Sequence, residues 1–239
     1  MLEYQWRTVL AYWPDYLHAA VLALQITLVG FLLAFVIASV AALARNSASM
    51  ILRGVATCYV EAIRNTPVLL QIFIVYFAMP SFGIRLSAVT AGTIALGVNV
   101  GAYLTEVLRA GMSSVGKGQL EAAQILGLKT STVLLNVVAP QALRNVYPSL
   151  VNNLIQVLLG TSLLSTIAVP EITGVATVVN ARTLLFVQVF GIAVALYLVL
   201  SYGLSAAASL IERFVFKAPA AGTRRKQRAT TRRLMGIRS

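Results

Sequence analysis

The sequence predicts an all-α, polytopic membrane protein of about five transmembrane helices, and two observations carry that expectation. Hydrophobic residues make up 59% of the 239, and only 11% are charged, against roughly a quarter in soluble chains. The few charges are also segregated: residues 16–44, 65–84, 86–105, 145–170 and 183–211 contain no Asp, Glu, Lys or Arg. Each run is about as long as the ~20 residues a helix needs to cross a ~30 Å hydrocarbon core. Helices are required there because a bilayer leaves open backbone groups unsatisfied.

Residues 1–19 mix aromatics with charge (Tyr4, Trp6, Arg7, Tyr12, Trp13, Asp15) and read as an interfacial segment. The apolar run after them is too long for a signal-peptide core, and Glu3 and Asp15 spoil the usual basic start, so the N-terminus is expected to stay. Spans are expected near 20–44, 55–79, 87–110, 147–168 and 184–211, giving a transmembrane domain over 20–213 with a polar central segment at 112–145. Residues 214–239 form a basic tail, expected to be disordered. From Arg213 onward there are nine basic residues and no acid, so most of the net charge of +12 is C-terminal. With the tail in the cytoplasm, that side also holds Arg45, Arg53, Arg109, Lys117, Lys129 and Arg144, against Arg7, Arg85 and Arg182 opposite. This bias places the N-terminus outside, and the C-terminus and central segment inside. The tail lies on anionic lipid or acts only as a topological anchor; it lacks the interleaved aromatics of a nucleic-acid binder.

One cysteine, Cys58, excludes an intrachain disulfide, and one histidine, His18, argues against a histidine-rich metal site. No internal repeat of the kind many secondary transporters carry is visible. An odd number of spans in so short a chain suggests a pore built by pairing two subunits.

The central stretch 118–140, GQLEAAQILGLKTSTVLLNVVAP, is the one long polar-punctuated segment between apolar spans. Gly118 can cap a short helix with Glu121 at its third position, facing unpaired amides and the positive dipole end. Gly127 suits the left-handed residue that ends it. Thr130 or Ser131 can cap a second helix, which Pro140 bends or stops. Spacing alone leaves two readings open: an amphipathic connecting loop, or an element held out for a partner.

Glu121-Ala122-Ala123, Gly127 four residues after the last Ala, and Val137-x-Ala139-Pro140 together resemble the EAA motif of ABC importer permeases, with Val137 and Ala139 in place of Ile and Leu. Tyr59-Val60-Glu61-Ala62-Ile63-Arg64-Asn65-Thr66-Pro67 is similar to the Glu-x-x-Arg-Gly-Thr-Pro stretch of the polar amino-acid branch, with Asn65 for Gly. So are the run from Ala102 to Gly111 with Ser114 to Gln119, then Gln141-Ala142-Leu143-Arg144 and Thr161-Ser162-Leu163. The likeness covers residues 20–213. It implies a type I importer fold in a bacterial inner membrane, moving a polar amino acid or another small solute. It further implies that Glu121, Ala122, Ala123, Gly127 and Pro140 carry coupling to a separate ATPase dimer, which binds the ATP and Mg²⁺, so that this chain needs no cofactor. A second permease copy or sister permease, and an extracytoplasmic amino-acid-binding protein, are the other implied partners.

Gly111 to Lys117 nearly spells a P-loop, but Gly118 stands where the Mg²⁺-ligating hydroxyl belongs and a membrane span precedes it, so nucleotide binding is not expected. Charges at membrane depth need partners or a watery cavity. Glu61 with Arg64, and Glu106 with Arg109, are spaced to pair on one helix face, or else to line a substrate path. Span four carries Asn152, Asn153, Gln156, Thr161 and Ser162, groups that glue helices or line a pore. Glu61, Arg64, Glu106, Asn153, Thr161 and Ser162 are therefore the candidate path residues. The intramembrane carboxylates also suit an ion-coupled secondary transporter. An intramembrane enzyme lacks an evident Ser/His/Asp set or metal-ligand cluster.

Overall fold

The computed structural model describes residues 2–215; the tail from residue 216 on lies outside the described residues. An amphipathic helix, α1 (Leu2–Leu10), opens the chain, with Glu3 and Arg7 paired at 3.2 Å on its exposed side. It turns into α2 (Trp13–Arg45), whose first turn holds Pro14, where a missing N–H removes no helix bond. Along α2, Ala23, Ala34, Ala38, Ala41 and Ala42 are buried, while Leu28, Leu32, Val36, Val40 and Leu43 are exposed. Small residues inside and large apolar ones outside is the pattern of a helix that faces lipid.

Ser49 caps α3 (Met50–Arg64) by accepting a bond from the Leu52 amide. The single span expected near 55–79 is not straight. Helix α3 and the stretch Val68–Phe82, which begins as α4 (Val68–Phe73), are bent by 107°. Pro67 has no N–H to continue the ladder and drives Thr66 away from helical backbone. The Gln71 amide repairs the break, donating to the Ile63 carbonyl (2.9 Å) and the Thr66 hydroxyl (2.8 Å).

Ser87 caps α5 (Ala88–Ser113), accepting from the Thr90 amide at 3.1 Å. Helix α5 packs closely on α2: a Cβ on Gly97 would lie 2.8 Å from the Leu33 side chain and 3.1 Å from the Gly30 carbonyl. Gly111, the first residue of the near-P-loop, is inside this helix and buried against Val146, so no phosphate-cradling turn forms there.

Two short helices follow, α6 (Lys117–Ile125) and α7 (Thr130–Val133). The latter does not end at Pro140. It runs through a π turn, Leu134–Val138, into α8 (Ala139–Gly160), and Ser131–Ile167 is one stretch apolar enough to cross a membrane. A second π turn, Ile74–Ala78, precedes Pro80 in the same way. In both places the wider turn sits where a proline ring would otherwise press on the carbonyl four residues back.

A 3₁₀ turn, Thr161–Ile167, ends at Ala168 in left-handed backbone (φ 60°), and the chain enters α9 (Ile172–Thr183), an element not expected from the sequence. Leu184 (φ 56°) then turns it into α10 (Phe186–Val215). One apolar cluster joins α1, the start of α2, α9 and α10; a second joins α2, α4, α5 and the 3₁₀ turn; a third joins α2, α5 and α8. Among the described residues, four stretches are long and apolar enough to span, or five counting the bent pair, in agreement with the expected number.

Candidate functional site

The central segment is built around one backbone feature. Gly127 sits at φ +65°, as its sequence position predicts. The Leu128 amide reaches back to the Ala123 carbonyl at 3.1 Å, and the Leu126 amide to Ala122 at 3.0 Å. This is the 6→1 closure of a Schellman cap, which satisfies the carbonyls orphaned at the helix end. Helix α6 starts at Lys117, so Gly118 lies within its first turn rather than capping it, and Glu121 lies deeper than the third position. Glu121 and Ala122 are exposed, whereas Ala123 is buried. At the tip, Ile125 and Leu126 are 86% and 73% exposed, the reverse of what apolar side chains do unless a partner or lipid covers them. Gln141 at the root of α8 donates to the Gln119 side chain (2.6 Å) and to the Val137 carbonyl (2.9 Å), tying α6 to the span beyond Pro140.

A polar face runs along the bundle beside this segment. On α8, Asn145, Ser149, Asn152 and Gln156 recur at helical spacing and are exposed. Beside them stand Asn99, Tyr103 and Glu106 on α5 and Ser114 at its C-terminal cap. Asn145 donates to the Ser114 hydroxyl at 2.8 Å, and Asn99 donates to the Gln71 side-chain oxygen at 3.0 Å. A cleft of about 450 Å³ between the two helices is lined by Glu106, Val107, Ala110, Ser114, Asn145 and Ser149.

The candidate path residues divide across this geometry. Glu61 and Arg64 are exposed but are not paired with each other. Glu61 accepts from the Asn65 amide at 3.3 Å, and the Arg64 guanidinium lies 5.4 Å from the centre of the Tyr103 ring. The break at Pro67 ends α3 here, freeing Arg64 to reach across to α5. Glu106 does pair with Arg109, at 3.0 Å, and also with Arg45 at the end of α2. Asn153 and Thr161 turn inward: Asn153 donates to the Ser149 carbonyl and Thr161 to the Leu158 carbonyl, both buried. Ser162 is half-buried and bonds the Leu159 carbonyl. Of Asn152, Asn153, Gln156, Thr161 and Ser162, the groups singled out on span four, Asn152 and Gln156 are the exposed ones.

Glu171 has no counterpart among the candidates. It is fully buried and caps α9, accepting from the amides of Thr173 (2.9 Å) and Gly174 (2.7 Å) and from the Tyr197 hydroxyl (2.6 Å). Thr161 and Thr173 hydroxyls approach the same phenol at 3.4 and 3.3 Å. Glu is not among the favoured caps, so at the edge of a charge-free run it read only as a boundary. Burial raises its carboxyl above the ordinary value, outweighing the lowering by Tyr197, Thr173 and Gly174. A carboxyl with a raised folded pKa holds more protons folded than unfolded, so stability falls as pH rises from the ordinary value through the raised one. Thermal melting in detergent should show this fall for the wild type and a flatter profile for Glu171→Gln; parallel profiles would remove Glu171 as its source.

Comparison with known proteins places this arrangement. Residues 30–217 match the family described as binding-protein-dependent transport system inner membrane component. The chain is 37% identical over 204 residues to the L-cystine transport system permease protein TcyB of Bacillus subtilis (85% of this chain, 87% of the relative). It is 36% identical over 199 residues to the probable glutamine ABC transporter permease protein GlnM of the same organism (83% and 91%). A crystal structure described as an amino acid ABC transporter with histidines superposes with a TM-score of 0.79 at 32% identity, over 85% of this chain and 95% of that one. The methionine transporter MetNI, in an inward-facing form, shares the fold at 17% identity and a TM-score of 0.74. With the family match spanning most of the chain and a capped Glu-Ala-Ala helix presented at one end of the bundle, the protein belongs to the binding-protein-dependent transport system inner membrane components.

Proposed function

We propose that the chain is the transmembrane permease subunit of an ATP-driven importer of a polar amino acid, and that α6 with its Gly127 cap is where a separate ATPase takes hold. The observation that carries this is the tip of α6. A rigidly capped helix presents a low Glu121-Ala122 surface beside two exposed apolar side chains, Ile125 and Leu126, as a groove on another protein requires. In this reading the basic end is cytoplasmic, supported by the charge count. Nucleotide and Mg²⁺ belong to the ATPase, and an extracytoplasmic binding protein delivers substrate to the opposite end. A second copy or a sister permease covers the polar face of α3, α5 and α8. Exposed amides and charges there are costly against hydrocarbon and suited to a wet path for a zwitterion. The cystine, glutamine and nopaline permeases among its relatives support the substrate class.

The test is reconstitution in proteoliposomes with a partner ATPase and an amino-acid-binding protein, followed by uptake of labelled amino acids. ATP-dependent uptake of at least one is expected; uptake that needs no ATPase and follows the proton gradient would overturn the proposal. Replacing Asn152 and Gln156 together with leucine should lower uptake about tenfold, the loss of one or two substrate hydrogen bonds at about 1 kcal/mol each, without lowering the amount of protein in the membrane. Unchanged uptake would remove this face from the path.

A further inference from the structure

Glu106, toward the C-terminal end of α5, is a carboxylate whose two oxygens are both engaged. One faces the Arg45 guanidinium from the last turn of α2. The other receives Nε and Nη2 of Arg109, each at 3.0 Å, one turn along α5. The three side chains are largely shielded, with 16%, 23% and 44% of Arg45, Glu106 and Arg109 exposed. No carboxylate oxygen is left over for a substrate ammonium.

The position of this cluster matters more than its charge. Helix α5 leads into α6 within a few residues of Ser113. Helix α2 leads through Asn46 to Ser49 into α3, which carries Glu61 and Arg64 at its far end. The α3 start is tied to that turn by the Ser49 cap and by Arg53 donating to the Ser47 carbonyl at 3.3 Å. Where Gly30, Gly97 and Gly101 bring α2 and α5 together, the neighbours across the two helices are backbone carbonyls and the methyl groups of Leu33, Ile37 and Thr93. Such contacts have no hydrophobic drive in lipid and little directionality. At the end nearest α6, the Arg45–Glu106 pair fixes one helix against the other, and the Asn46 side-chain amide makes a long contact to the Met112 sulfur (4.0 Å) beside it.

Resting on the reading above, we propose that Glu106 is a positioning residue for coupling. It locks the end of α2 to the root of the ATPase-contacting segment, so that α5, α2 and α3 swing as one lever. Movement of α6 then reaches the polar end of α3 through α5, Glu106, Arg45 and the four-residue turn. Neutralising Glu106 strands two guanidiniums and lets α5 move without α2.

The test compares wild type, Glu106→Gln, Arg45→Met and the double variant in the reconstituted complex, with L-glutamine and L-cystine as probes. Uptake rate against concentration and ATP hydrolysed per amino acid moved are both measured. For Glu106→Gln, Vmax is expected to fall about tenfold, mid-range for a coupling free energy. KM should stay within about twofold, because no ground-state contact is lost. The ATP consumed per amino acid should rise by about fivefold or more as hydrolysis idles. Arg45→Met should act in the same way, and the double variant should be no worse than either alone, as expected for two ends of one contact. A raised KM with an unchanged ATP ratio would make Glu106 a substrate contact and overturn the proposal. An unchanged Vmax and ratio would reduce the cluster to charge neutralisation and overturn it equally. If Glu106→Gln fails to reach the membrane, Arg45→Lys, which keeps the charge without the planar fork, is read by the same ratio. Absence of ATP-dependent uptake by the wild type would instead refute the importer reading beneath it.

Discussion

Gly127→Val is expected to abolish ATP-dependent uptake while the protein still reaches the membrane, and Gly127→Asn is expected to retain most of it. The contrast follows from the backbone. A Cβ at Gly127 would meet no atom within 4 Å, yet the residue sits at φ +65°. Steric exclusion is therefore not the constraint; left-handed conformation is. An ordinary L-residue there costs roughly 1–2 kcal/mol, and a β-branched one is a genuine outlier. Asparagine adopts the conformation far more readily. A penalty of about 1–2 kcal/mol shifts the balance between closed and frayed helix ends about 5- to 30-fold. Loss of the cap releases the bond from Leu128 to Ala123 and redirects Ile125 and Leu126, the groups proposed to meet the ATPase. Uptake by the same reconstituted complex, normalised to membrane content, reads the series. Full uptake by the valine variant, or an asparagine variant as impaired as valine, would separate the Gly127 cap from coupling.

Gly174→Ala is expected to be the most destabilising single-methyl addition outside the central segment. The new Cβ would collide with the Val169 carbonyl oxygen and lie 3.6 Å from a Glu171 carboxylate oxygen. A carbonyl held in the turn between Ala168 and α9 cannot rotate away as a side-chain tip can. The collision also lies in the first turn of α9, where Glu171 accepts from the Gly174 amide and its carbonyl accepts from Val175 at 2.8 Å. Relief requires α9 to move off the cap, uncovering a buried carboxylate and its bond to Tyr197. Overpacking typically costs about 1–3 kcal/mol, and this site stands at the upper end because backbone is the obstacle. At about 2–4 °C per kcal/mol for a chain of this size, the midpoint in detergent should fall by about 6–12 °C. A shift of less than about 2 °C, under one such kcal/mol, would mean the turn relaxes freely. Glu171→Gln, which leaves the turn geometry intact, should melt closer to the wild type than Gly174→Ala does.

Much of the architecture was legible because membrane solvation writes itself into composition. Charge-free runs long enough to cross hydrocarbon located the spans, and Gly127 stands where a helix end was expected. The misreadings share a physical cause. Pro140 was expected to bend or stop a helix, but a proline's effect depends on whether the surrounding chain can supply a wider turn. Pro140 lies within a continuing helix after a π turn, whereas Pro67 marks a 107° break whose freed carbonyl is met by Gln71. Helix α9 went unseen because a short element with a glutamate cap carries no strong periodic or capping signature.

The site was legible to a similar depth. The spacing from Glu121 to Pro140 marked the segment, and the Glu106–Arg109 pair followed from helical geometry. Partners distant in sequence were invisible: Arg45 on Glu106 across 61 residues, Tyr103 under Arg64, and Gln119 bonded to Gln141. Which polar residues of span four look outward was equally undetermined, since Asn152 and Asn153 are chemically identical and differ only by one step around a helix.

By itself the sequence determined that this chain lives in a bilayer, how many times it can cross, and where it holds out a capped helix. Those properties depend on local composition, backbone preference and the cost of charge in hydrocarbon, which neighbouring residues decide among themselves. Tertiary structure alone decided that Glu106 clasps two helices, that Glu171 is buried beneath Tyr197, and that a polar face of α3, α5 and α8 is left open. Each of these depends on which helix faces align, and alignment is set by close packing between segments far apart in the chain.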